Sequence, residues 1–148
     1  ALAAADLSLR FVKEILRLYP AGWWTTREVA MPTTMGERQF KRGDTIMVSP
    51  YQLHRDPRLW GSADQFDLER DFKDRAYMPF GLGHRACVGM SMAMIELQLF
   101  TLLIATSLQV TLPEHCPCEP IPSVTLLYPD TNFPVTARTP SRFRSAAA

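Results

Sequence analysis

The sequence predicts an α+β chain, mainly α with small β hairpins, and three observations carry that expectation. Apolar residues recur at helical spacing near the start. β-branched and aromatic residues then alternate with polar ones, and a long apolar segment of helical length occupies the second half. The 148 residues fit one domain by length, and an apolar content of 47% against 21% charged argues against disordered and collagen-like classes. Sixteen basic residues against fifteen acidic ones give a net charge of +1 with the signs interspersed, so no nucleic-acid partner is expected.

The first element is an amphipathic helix over residues 6–19. Asp6 is its candidate N-cap, Leu9, Phe11, Val12, Ile15, Leu16 and Tyr19 form its apolar stripe, and Pro20 ends it. Short strands and hairpins are predicted over 23–49, with turns at Met35-Gly36 and Arg42-Gly43. From Pro50 to Gly83 no period is sustained; residues 50–79 read as a long irregular meander, and such segments are usually functional or clamped. A loop over 80–89 leads to a helix over 90–108 that is apolar nearly all round and therefore expected to be buried. Its length would also span a bilayer, but Glu96 and Gln98 sit mid-segment without a flanking basic cluster, so a core helix is expected and no membrane segment. Prolines crowd the remainder, which reads as a β hairpin region over 109–138. Three cysteines, Cys87, Cys116 and Cys118, with no signal peptide at the start, predict a reducing, cytoplasmic or cytoplasm-facing setting without a disulfide framework. Cys116-Pro117-Cys118 is too tight and too constrained for a zinc pair.

The most informative stretch is Phe80-Gly81-Leu82-Gly83-His84-Arg85-Ala86-Cys87-Val88-Gly89. Gly81 and Gly83 permit a tight bulged turn, and Gly89 removes a side chain where a flat group and a helix must approach closely. Cys87 precedes a helix N-terminus, whose free amides and dipole favour an anion, so a thiolate is expected to be available there as a metal ligand. Arg85, two residues away and always charged, suits a carboxylate through paired hydrogen bonds. Phe80 would screen the sulfur from water. His84 reads as a solvated loop residue.

This stretch resembles the haem-binding signature of the cytochrome P-450 family of haem-thiolate monooxygenases, with each fixed position matched. The resemblance implies the C-terminal part of that fold, with the cysteine loop lying between the meander and a buried helix. Cys87 would then be the axial ligand of the haem iron and Arg85 a propionate partner. Glu14 and Arg17, three apart on one helix face and followed by Tyr19-Pro20, resemble the family's Glu-x-x-Arg motif. Phe66-Asp67-Leu68-Glu69-Arg70 resembles the segment that adds a second arginine, making Glu14, Arg17 and Arg70 a buried structural cluster. Leu68 stands where the family commonly has proline, and Asp71 where it has phenylalanine. His54-Arg55-Asp56-Pro57 with Trp60 is similar to a structural stretch of the family. Arg27 occupies the place of a further propionate arginine or is a strand-edge surface residue; both readings stand.

Substrate-lining positions carried over from the family are Trp23, Trp24 and Thr25 within Ala21–Thr26, and a second segment around Tyr128–Phe133. The cofactor set implied is haem b (iron protoporphyrin IX), O2, and electrons from NAD(P)H delivered by a ferredoxin or flavoprotein reductase. The implied substrate is a small apolar organic molecule. The resemblance covers the last third of the family's length and includes no distal helix, so the chain alone is expected not to hydroxylate and to be poorly soluble. Two alternatives stay open: a haem-thiolate peroxygenase or isomerase, and a non-catalytic haem-binding or partner-binding remnant.

Overall fold

A computed structural model describes residues 2–72, 76–114, 120–124, 126–129 and 135–140. Helix α1 spans Leu2–Leu18. It starts four residues before the expected N-cap, because Leu2 and the alanines after it are strong helix formers that extend the first turn. Asp6 is therefore interior, and its carboxylate takes the Arg10 Nε–H at 3.0 Å. Tyr19 still donates back to the Ile15 carbonyl at 2.7 Å before Pro20 stops the run.

Two small antiparallel pairs follow. Strand β1 (Thr25–Glu28) pairs with β4 (Thr45–Val48), and between them β2 (Thr33–Met35) pairs with β3 (Arg38–Phe40). The two-residue turn Gly36-Glu37 places a glycine at φ +59°, a conformation that costs other residues a steric penalty. The meander is less irregular than its sequence suggests. A single helical turn, α2 (Pro50–Leu53), opens it, capped by the Ser49 hydroxyl on the Gln52 amide and started by proline at its first position.

Helix α3 spans Met90–Ser107. Within this chain none of its residues is buried, and Met92, Ile95, Leu99, Phe100 and Leu103 are each about 60% exposed. The reason is simple. Among the described elements, α1 is the one that packs along it, so one flank is covered and the rest of an all-round apolar surface stays bare. By length and composition it could also cross a membrane. Strands β5 (Gln109–Thr111) and β8 (Thr136–Arg138) then enclose a second pair, β6 (Pro120–Pro122) with β7 (Leu127–Pro129).

The packed centre lies between α1 and the meander. Trp60, Ala63 and Ala76 form an apolar cluster with Leu53, Phe72 and Tyr77 around it. The largest fully buried side chains are nevertheless Arg17, His54, Glu14 and Pro20, so polar side chains make up most of the deepest layer.

Candidate functional site

Glu14 and Arg17 face the meander from α1 with no exposure. Arg17 satisfies all five of its N–H donors. Its Nε–H and one Nη2–H grip Glu14 Oε2 and Oε1 at 2.8 and 2.9 Å, while the remaining donors reach the carbonyls of His54, Ala63 and Gln65. Arg70 arrives from the meander: its Nε–H is shared between the Glu14 oxygens at 2.9 and 3.1 Å, and its Nη atoms take the carbonyls of Gly61, Ser62 and Gln65. The Asp67 amide adds a further donor to Glu14 at 3.0 Å. Burial by itself would raise the Glu14 pKa, but the hydrogen bonds from Arg17, Arg70 and the Asp67 amide outweigh it and hold the carboxyl below its ordinary range. Ser62 sits at φ +48°, the one non-glycine in the left-handed region among the described residues, and Arg70 pins the carbonyls on either side of that strained turn.

His54 lies at the other end of the cluster, fully buried. Its Nδ1–H donates to the Arg17 carbonyl at 3.0 Å, and its Nε2 accepts the Met78 amide at 2.9 Å. Burial first, and the neighbouring Arg17 and Arg55 guanidiniums after it, lower its pKa to about 4, so it is neutral at ordinary pH. Arg55 stacks on the Tyr51 ring at 3.9 Å and on Tyr19 at 5.5 Å.

The cysteine loop follows from Met78. Gly81 and Gly83 adopt φ +74° and +69°, and a Cβ on Gly81 would lie 3.6 Å from the Arg85 carbonyl oxygen. A 3₁₀ turn, Gly83–Arg85, closes the bulge. The Cys87 amide donates to the Phe80 carbonyl at 2.8 Å, and the Cys87 carbonyl accepts the Met90 amide at 3.3 Å, seating the cysteine at the mouth of α3 with Gly89 as N-cap. The thiol is free and exposed. A Cβ on Gly89 would stand 3.8 Å from the sulfur, so the glycine leaves that side of it open.

Beside the sulfur opens a cleft of about 530 Å³, within the size range of cofactor sites. Leu16, Trp24, Pro79, Phe80 and Leu126 supply apolar wall; Arg27, Arg85 and Cys87 supply its charge and its ligand atom, and Thr25 and Gly81 also line it. Among the described residues nothing accepts a hydrogen bond from the Arg85 guanidinium, while Arg27 donates to Thr25 Oγ1 at 3.0 Å and the Thr26 carbonyl at 2.7 Å. Arg27 lies on exposed β1 and also lines the cleft. An apolar cleft with one thiol and two cations at its edges is a donor set that fits an iron macrocycle bearing carboxylates.

The structure does not bring every expected residue to this cleft. Gly83 and Gly89 shape the loop without lining it, and Trp23 turns away, donating its indole N–H to the Ser123 carbonyl at 3.0 Å. Trp24 bonds the Val124 carbonyl in the same manner, and both rings are half-buried and meet edge to face. Cys116, Cys118 and residues 130–133 of the second lining segment lie outside the described residues, and of Tyr128 the backbone alone is described. Leu126 was not foreseen as a wall residue. It reaches the cleft because its backbone bridges Gly22, a pairing across about a hundred residues that no local pattern signals.

The sequence model of the family described as cytochrome P450 matches residues 7–136. Cyclooctatin synthase of Streptomyces melanosporofaciens is 39% identical over 65% of this chain and 22% of its own length. Pentalenene oxygenase of Streptomyces avermitilis is 30% identical over 95% of this chain and 33% of its own length. The crystal structure of the cytochrome P450DA heme domain superposes with a TM-score of 0.81 at 26% identity, covering 90% of this chain and 31% of that one. The chain thus spans about a fifth to a third of the length of the curated relatives it matches. With the match running through the Glu14 cluster, the meander and the cysteine loop, this chain belongs to the cytochrome P450 family.

Proposed function

We propose that residues 1–148 are the C-terminal, haem-ligating part of a haem-thiolate monooxygenase. The observation that carries this reading is the exposed Cys87 thiol, held at a helix mouth on the edge of an apolar cleft that Arg85 and Arg27 also border. Bound there, haem b would supply dioxygen activation and insertion of one oxygen atom into substrate, chemistry for which a thiolate ligand is suited.

The chain's own residues prepare the site. Cys87, seated at the mouth of α3, would hold the iron through its sulfur. Phe80, on the cleft wall, would screen the sulfur side, and Gly89 leaves room for a flat group to approach it. Arg85 and, from β1, Arg27 orient carboxylates at the cleft edge through charge-assisted hydrogen bonds. Trp24, Thr25 and Leu126 form the wall toward a small apolar organic substrate, with Trp23 stapling that wall to the Ser123 backbone. A relative named for the oxygenation of pentalenene supports that substrate class. Electrons come from NAD(P)H through a ferredoxin or flavoprotein reductase.

The test is the reduced carbon monoxide difference spectrum of the haem-loaded chain. Cys87→Ser should abolish the thiolate-type Soret band, whereas Cys116→Ala and Cys118→Ala should keep it. A band that survives in Cys87→Ser overturns the assignment.

A further inference from the structure

We propose that His54 is the positioning residue that sets the register of the cysteine loop against α1, by holding the Arg17 carbonyl and the Met78 amide with its two ring nitrogens. A carbonyl only accepts and an amide only donates, so Nδ1 must carry the proton and Nε2 must be bare. Only one neutral tautomer satisfies both partners. The Arg17 carbonyl is one of the orphan acceptors at the end of α1, since the helix stops at Leu18, and His54 supplies its missing donor. The ring itself is fixed by stacking on Tyr77 at 5.6 Å and by the edge of Trp60 at 6.1 Å.

From Met78 the connection to the sulfur is short and stiff. Pro79 follows, which locks its own φ and restricts Met78 to extended backbone. The Met78 carbonyl accepts the Gly81 amide at 3.0 Å, and the Phe80 carbonyl accepts the Cys87 amide at 2.8 Å. A shift of Met78 therefore moves the corner that holds Cys87. The same Arg17 whose guanidinium grips Glu14 offers its carbonyl to His54, so the buried cluster and the cysteine loop share one joint. The groups facing the imidazole are the Arg17 and Arg55 guanidiniums and the rings of Tyr77 and Trp60. Both cations oppose a third positive charge, in keeping with a ring that stays neutral.

The consequence for haem rests on the function proposed above; the consequence for the backbone does not. Amide hydrogen exchange of the full 148-residue chain separates them. His54→Phe removes both hydrogen bonds and keeps a ring, and His54→Asn keeps a donor for Arg17 but cannot reach Met78. Both should speed exchange at Gly81 and Cys87 about tenfold, the ordinary worth of one lost hydrogen bond, with Val12 and Leu16 unchanged. Tyr77→Phe, which loses only the hydroxyl bond to the Lys13 carbonyl, should leave Gly81 and Cys87 as they were. In haem-loaded chain at equal haem content, the thiolate-type fraction of the carbon monoxide complex should fall in both His54 variants. Unchanged exchange at Gly81 and Cys87, or a parallel rise at every amide, overturns the proposal. A Soret band insensitive to Cys87→Ser would instead defeat the haem assignment and leave the exchange result standing.

Discussion

The two helices of this chain invert the usual rule of burial. Helix α1 buries a glutamate and an arginine completely, whereas α3, far more apolar, buries nothing. The difference lies in what each meets. Every buried charge on α1 finds a partner within this chain: Arg17 has five acceptors, and Glu14 has donors from Arg17, Arg70 and the Asp67 backbone. Among the described elements, α1 is the one that packs along α3, on one flank. Hydrophobicity measures a tendency to be covered, and whether cover exists is decided elsewhere in the structure.

The strongest way to break this contrast is Glu14→Ala. It strands two guanidiniums in a buried site, and removing one member of such a cluster costs about 3–5 kcal/mol. A shift of the urea midpoint smaller than that of an ordinary surface mutation would show that the cluster is not what holds the meander to α1.

Acid should act on the same half of the molecule. The folded pKa of His54 is lowered from 6.5 to about 4, so between those values the unfolded chain binds the extra proton and the folded chain does not. Stability from this group is fully present above about pH 6.5 and declines as pH falls toward 4, by on the order of 3 kcal/mol in total. Glu14, whose folded pKa is depressed, contributes stability above its unfolded value and loses it as pH falls through the folded one, so it adds to the decline at the acid end. Urea midpoints measured from about pH 7 down to about pH 4.5 should show the slope in the native chain and a much weaker one in His54→Phe.

The smallest effect is expected on α3. Leu99→Gln replaces an apolar side chain that is 60% exposed, so stability should change by no more than about 0.5 kcal/mol while solubility improves. A loss above about 2 kcal/mol would mean that this face is covered in the folded chain, which would erase the contrast between the helices.

Much of the site was legible in the residues because its chemistry is local. Gly81, Gly83, Arg85, Cys87 and Gly89 lie within nine positions, where turn geometry, a helix mouth and a thiol constrain one another along a short backbone. Glu14 and Arg17 share a face through helical spacing alone. Arg70 came from resemblance, since nothing in its charged surroundings distinguishes it from a solvated arginine. The single turn at Pro50–Leu53 escaped the periodic reading because four residues are too few to show a period; the Ser49 cap and Pro50 were its one local sign.

Residue order alone therefore settles the short-range devices: the cysteine turn, the paired charges on α1, the glycine-led hairpin at Gly36. Each is settled by steric and electrostatic terms acting over a few residues. The tertiary structure alone decided which of them meet. It put His54 between the end of α1 and the start of the cysteine loop, carried Leu126 to Gly22 across the chain, and turned Trp23 away from the cleft while leaving Trp24 on it. Those outcomes depend on contacts between segments distant in sequence, and burial, unlike turn geometry, is a property of the partner as much as of the residue.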